Sequence, residues 1–125
     1  MVKKFADMLA AARAVVPTIS VEDAKKLLGR DDVVFLDVRD GTELQATGKV
    51  KGAIHTQRGL LEGKADPDSP GHVKELTPEK TLITYCASGG RAALAGQTLK
   101  EMGYDKVFNL GKFQDWKDGG GETEA

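Results

Sequence analysis

The run Thr81-Leu82-Ile83-Thr84-Tyr85 is rich in β-formers, and it delivers the chain's only cysteine, Cys86, into Ala87-Ser88-Gly89-Gly90-Arg91. Beyond that loop, Leu94, Ala95, Leu99 and Met102 recur at helical spacing, and Gly103 suits the position after a last helical turn. A buried strand that passes through two glycines into a helix is the junction of an α/β layer. A thiol at that junction faces unpaired N–H groups and the positive end of the helix dipole, which favours the thiolate, its nucleophilic form. Gly89 and Gly90 allow the backbone to curl into an anion nest, and Arg91 places a permanent charge at its rim. A lone cysteine is more commonly a small buried hydrophobe. Here the order of strand, cysteine, glycine pair, arginine and helix favours the nucleophile.

The remaining pattern extends the layer. Val33 to Val38 is a near-continuous apolar run, the mark of a strand covered on both faces. Short strands are expected at Gly52–His55 and Lys106–Leu110, with a helix started by Ser20, a short helix over Glu43–Ala46 and a closing helix around Phe113 and Trp116. Strands alternating with helices predict a parallel sheet with helices on both faces, and such sheets bind ligands at the C-terminal ends of their strands. Cys86 lies at such an end. Residues 1–16 form an amphipathic helix through Val2, Phe5, Leu9, Ala12 and Val16, stopped by Pro17; it either packs on the domain or serves a partner or a second copy. Residues 123–125 are expected to fray after the glycine run.

Charge narrows the function. Eighteen basic against 19 acidic residues, with no basic block, give no electrostatic support to nucleic-acid or membrane binding. One cysteine and two separated histidines make neither an internal disulfide nor a zinc pattern, and an unpaired thiol fits a reducing, cytoplasmic compartment.

Four segments together resemble the rhodanese domain family over about residues 17–122. Leu36-Asp37-Val38-Arg39 with Glu43 is similar to its first signature strand, and Gly48-Lys49-Val50-Lys51-Gly52-Ala53 to its Gly-His-Ile-Pro-Gly-Ala segment. Cys86 to Arg91 resembles its active loop, and Leu110-Gly111-Lys112-Phe113 with Trp116 its closing Gly-Gly-Phe…Trp element. The resemblance implies a three-layer α/β domain with a central, mostly parallel five-stranded sheet. It also implies a sulfurtransferase: Cys86 takes a sulfane sulfur from a small anionic donor such as thiosulfate or from a persulfide. It then passes the sulfur to a thiol, cyanide or protein acceptor, with no metal or organic cofactor.

Ala87, Ser88, Gly89, Gly90 and Arg91 are the expected substrate-binding residues around Cys86; Ser88 either donates to a bound anion or shapes the loop. Arg58 and His72, on the long Thr56–Lys80 connection, are further candidate contacts, with a solvated surface role as the alternative for each. Arg39 is expected to form a buried ion pair with Glu43 or a turn. Many single-domain members carry arginine where this chain has Ala87, so the loop has one cation fewer, which leaves room for a persulfide donor or a protein partner. A non-turnover sulfur carrier is the competing reading. A phosphatase or arsenate reductase is less favoured, because only four residues separate Cys86 from Arg91, one fewer than in those loops.

Overall fold

In the computed structural model, which describes residues 2–125, helix α1 (Phe5–Val15) ends just before Pro17. Helix α2 (Val21–Leu27) starts at Ser20, whose Oγ accepts the Asp23 N–H at 3.1 Å. Strand β1 (Val33–Asp37) leads through an Asp40–Glu43 capping box into α3 (Gly41–Thr47). Two short strands, β2 (Lys49–Val50) and β3 (Ile54–His55), precede a 3-10 turn at Arg58–Leu60 that runs into α4 (Leu61–Ala65). Strand β4 (Thr81–Cys86) and helix α5 (Gly90–Glu101) frame the cysteine loop. The chain closes with β5 (Val107–Lys112), α6 (Phe113–Asp118) and β6 (Thr123–Glu124).

The central sheet has the order β3-β1-β4-β5, and every pair in it is parallel. Side chains alternate between two cores because the strand period is two. Val34, Leu36, Leu82 and Cys86 join Leu99 and Val107 on the face covered by α5. Phe35, Ile83 and Tyr85 join Phe113 and Trp116 on the opposite face. Four strands stand where five were expected. The fifth place, outside β5, is held by one bridge, Thr18 to Asn109, with the Asn109 N–H donating to Pro17 O at 2.9 Å. Pro17 has no N–H to extend the ladder and α2 begins at Val21, so the pairing stops there.

Two further expectations meet a different outcome or a finer one. Residues 123–125 do not fray as a unit: Thr123–Glu124 pairs antiparallel with Lys49–Val50, and the Glu124 carboxylate takes the Gly52 N–H at 2.9 Å. Helix α1 lies against α5, with Ala12 and Val16 buried and Leu9 half-buried. Gly96 makes the close approach feasible, since a Cβ there would sit 2.9 Å from Val16 Cγ1. The helix expected over residues 1–16 begins only at Phe5: Met1 lies outside the described residues, Val2 precedes the helix, and Val2 and Phe5 both stay exposed.

Candidate active site

Cys86 ends β4 on the C-terminal edge of the sheet and is fully buried, while Ala87 and Ser88 stand exposed at the crest of the loop. Gly89 then turns the chain back at φ +92°, a left-handed conformation that glycine adopts without steric cost. That turn aims the Gly89 N–H at Cys86 Sγ, 3.0 Å away. A Cβ on Gly89 would also approach Gly111 Cα at 3.5 Å, so strand β5 supports the loop from beneath. Asn109 adds a tie, its Nδ2 donating to Gly89 O at 3.4 Å. The sulfur therefore sits under a backbone amide at the N-terminal end of α5, an arrangement that stabilises negative charge on it.

Two different walls bound the loop. At Gly90, a Cβ would lie 3.5 Å from Leu9 Cδ2 and 3.6 Å from Phe5 Cζ, so α1 closes one side with apolar surface. On the other side a cleft of about 220 Å³ opens between Ala87, Ala46, Phe113 and Gln114, with Glu43 at its edge.

The cations are arranged differently from the sequence expectation. Arg91 is not a free rim charge: its Nη1 and Nη2 meet the two Glu43 carboxylate oxygens at 2.7 and 3.0 Å. This fork-to-fork pairing fixes the guanidinium and neutralises it locally. The Glu43 hydrogen bond raises the Arg91 pKa, with Cys86 contributing in the same direction. Arg39 instead takes Asp37, at 2.7 Å from Nη2 to Oδ2, and also bonds Thr47 Oγ1 and Gly48 O at 2.8 Å each. Its guanidinium lies 4.4 Å from the Phe113 ring centre. The exchange has a simple cause: Asp37 and Arg39 are two residues apart at a strand end, whereas α3 turns Glu43 toward α5.

Arg58 is bound elsewhere. Its guanidinium meets Glu62 at 3.2 Å and Thr98 Oγ1 at 2.8 Å, and Thr98 lies about 12 Å along α5 from Gly90. His72 Nε2 pairs with Leu76 O at 2.7 Å. The Thr56–Lys80 connection thus uses both side chains to brace itself. Glu43 and Asn109 are the site residues that sequence reasoning did not assign. An asparagine within a predicted strand was the available signal for Asn109, while Glu43 was visible as a family position and as one expected partner of Arg39, not of Arg91. Among the described residues, no group of three or more His, Cys, Asp or Glu side chains comes together as a metal site.

The Arg91 hydrogen bond, ahead of the burial that opposes it, holds the Glu43 carboxyl below its ordinary pKa of 4.5. A folded pKa below the unfolded one means that the pair stabilises fully above the unfolded value and loses this as pH falls through the folded one. Glu43→Gln should therefore cost about 1 kcal/mol at neutral pH, and the gap from the unaltered protein should narrow as pH is taken from neutral to below 4.5. Denaturant unfolding of both proteins across that range measures it. A gap independent of pH would mean that Glu43 acts through packing rather than charge.

A family model for the rhodanese-like domain matches residues 20–118. The chain is 31% identical over 111 residues to a Bacillus subtilis protein named "Putative sulfur carrier protein YrkF", covering 87% of this chain and 54% of that one. It thus spans about half the length of that relative. Among solved structures it superposes with TM-score 0.91 and 36% identity on a Rhodopseudomonas palustris protein of unknown function described as a possible tyrosine phosphatase, covering 99% of this chain and 96% of that one. A polysulfide-sulfur transferase homodimer from Wolinella succinogenes matches at TM-score 0.76 and 38% identity, over 96% of this chain and 86% of that one.

Proposed function

This chain belongs to the rhodanese-like domain family, and we propose that it is a sulfurtransferase carrying the transferred sulfur on Cys86. The observation that carries the reading is the Gly89 N–H held 3.0 Å from Cys86 Sγ at the junction of β4 and α5. In the first step the Cys86 thiolate attacks the outer sulfur of a donor. The new S–S bond forms as the donor's S–S bond breaks, and the electron pair leaves with the remainder of the donor. In the second step a thiol, cyanide or protein thiolate attacks the outer sulfur of the persulfide and returns Cys86 to thiolate. On the protein the negative charge stays on sulfur throughout, and the Gly89 N–H, already oriented toward it, stabilises it without reorganisation. Ala87 and Ser88 are exposed and Cys86 is buried beneath them, so the loop crest is the side from which a donor approaches the sulfur.

Donor choice follows from charge. The Arg91 guanidinium is matched by Glu43 and the loop has Ala87 after the cysteine, so its own side chains offer little net attraction to a sulfur oxyanion. That supports persulfide or polysulfide donors as well as thiosulfate, and polysulfide is the class named for the Wolinella relative. A reducing, cytoplasmic setting suits a single unpaired thiol.

A phosphatase reading draws on the Rhodopseudomonas neighbour, whose description names that activity as possible. A phosphatase needs its arginine free to grip a tetrahedral oxyanion, and Arg91 spends both terminal nitrogens on Glu43. The deciding experiment gives the protein thiosulfate or inorganic polysulfide with cyanide, and separately an aryl phosphate. Thiocyanate formation with no phosphate release is expected. Phosphate release without thiocyanate would transfer the site to phosphatase chemistry. Sulfur loading of Cys86 without multiple turnovers would make the protein a carrier instead.

A further inference from the structure

The loop's guanidinium is neutralised, yet a donor anion must come close to a thiolate. The register of β4 against β5 puts another cation beside Cys86. Thr84 pairs with Asn109, but Tyr85 pairs with Gly111, so Leu110 is an extra residue in β5. This bulge advances the register by one, and Cys86 therefore pairs with Lys112 rather than with Gly111. Adjacent strands lie about 4.8 Å apart, and register partners project to the same face. On the opposite face, Tyr85 and Phe113 stack with ring centres 5.6 Å apart. Lys112 thus stands next to Cys86 on the α1–α5 side, and it is exposed. Arg39, Arg58 and Arg91 are each bound to a carboxylate, while Lys112 enters no salt bridge among the described residues. Lys117, on α6, holds its ammonium 5.8 Å from the Phe113 ring centre.

We propose that Lys112 is the specificity-determining cation of the sulfur-transfer site, receiving the anionic end of the donor while Cys86 attacks its outer sulfur; this rests on the sulfurtransferase reading above. With thiosulfate, the Cys86 thiolate forms a bond to the outer sulfur. The bond between the two donor sulfurs breaks, and the electron pair departs with sulfite, whose oxygens face the Lys112 ammonium from binding to release. The flexible four-carbon stem lets the charge follow the leaving group across the loop. A cation placed on β5 offsets the same charge repulsion that a cation in the loop would, but from the neighbouring strand.

The test compares Cys86 alkylation by iodoacetate, an anion, with alkylation by iodoacetamide, its neutral analogue. Unaltered protein is set beside Lys112→Gln, Lys112→Arg and the charge-matched Lys117→Gln. Lys112→Gln should lower the iodoacetate-to-iodoacetamide rate ratio about fivefold, the effect of one unit charge at close range in water. Lys112→Arg should keep the ratio and Lys117→Gln should leave it within about twofold. The same variants should show a matching rise in KM for thiosulfate with Lys112→Gln, restored with Lys112→Arg. An unchanged ratio with Lys112→Gln, or an equal fall with Lys117→Gln, overturns the proposal. The alkylation ratio reads charge at Cys86 whether or not sulfur moves, so its failure strikes Lys112 alone. Absence of persulfide on the unaltered protein strikes the sulfurtransferase reading instead.

Discussion

Cys86→Ser is expected to lower sulfur transfer by on the order of a thousandfold or more, to the limit of detection, while the protein stays folded. A serine hydroxyl is almost wholly protonated at neutral pH and cannot carry a sulfane sulfur as a persulfide, so both halves of the reaction are lost together. The fold should tolerate the change because oxygen replaces sulfur at a position that already accepts a hydrogen bond. The Gly89 N–H, now 3.0 Å from Sγ, finds an acceptor in the serine Oγ. What is lost is a polarizable sulfur among Leu82, Ala92 and the other apolar residues of that core, a change of about 1 kcal/mol. Thiocyanate formation measures the first effect and denaturant unfolding the second. Appreciable transfer by the serine variant would move the sulfur-carrying atom away from Cys86.

Asp37→Ala should destabilise the protein by about 3–5 kcal/mol, the largest effect expected from a single side chain away from the cysteine. The Asp37 and Arg39 side chains are 0% and 3% exposed, and Asp37 receives the Arg39 Nε and Nη2 as well as the Arg39 backbone N–H at 3.0 Å. Truncating Asp37 leaves a guanidinium in the interior with only Thr47 and Gly48 oxygens and a ring face beside it. The Arg39 side chain, 3% exposed, forms part of the inner wall of the cleft beside Ala87. The penalty belongs to the orphaned charge, not to any great net worth of the pair. The double variant Asp37→Leu/Arg39→Met should therefore be more stable than Asp37→Ala. A loss under about 1 kcal/mol for Asp37→Ala would mean that Arg39 swings out to solvent. Because Arg39 packs on Phe113, which lines the cleft beside Ala87, the same substitution should also loosen one wall of the site.

Residues near one another in sequence made the cysteine loop legible. The apolar run of β4, the glycine pair and the spacing of α5 are local signals, and they placed Cys86 at a strand end before a helix, which starts at Gly90. Ser20 at the start of α2 was readable for the same reason, since a cap and its target lie three residues apart. Contacts set by the tertiary fold were not legible. Arg91 and Glu43 are 48 residues apart, and nothing local distinguishes Glu43 as the partner of Arg91 rather than of Arg39. The antiparallel pair β2–β6 joins two-residue segments too short to carry a hydrophobic pattern. Arg58 had the right charge and lay on a long connection, but only its partners in the fold, Glu62 and Thr98, assign it to bracing α4 on α5. The bulge at Leu110 is the most consequential case. A one-residue slip decides which side chain neighbours Cys86; Gly111, at φ +92°, is a local hint of a bulge, but a glycine alone does not fix the register against β4.

These placements give the site a division of labour. The Gly89 N–H faces the sulfur, the Arg91–Glu43 pair ties α3 to the start of α5, and α1 closes one flank through Phe5 and Leu9. The proposed reaction requires one thing above all of these, that sulfur travel on Cys86. Intact mass of the purified protein under non-reducing conditions, before and after exposure to thiosulfate or polysulfide, reads this out, with Cys86→Ser beside it. A gain of one sulfur atom that disappears on adding cyanide and is absent from the serine variant is expected. No gain of sulfur from either donor, or an equal gain by the serine variant, would rule out Cys86 as the sulfur carrier.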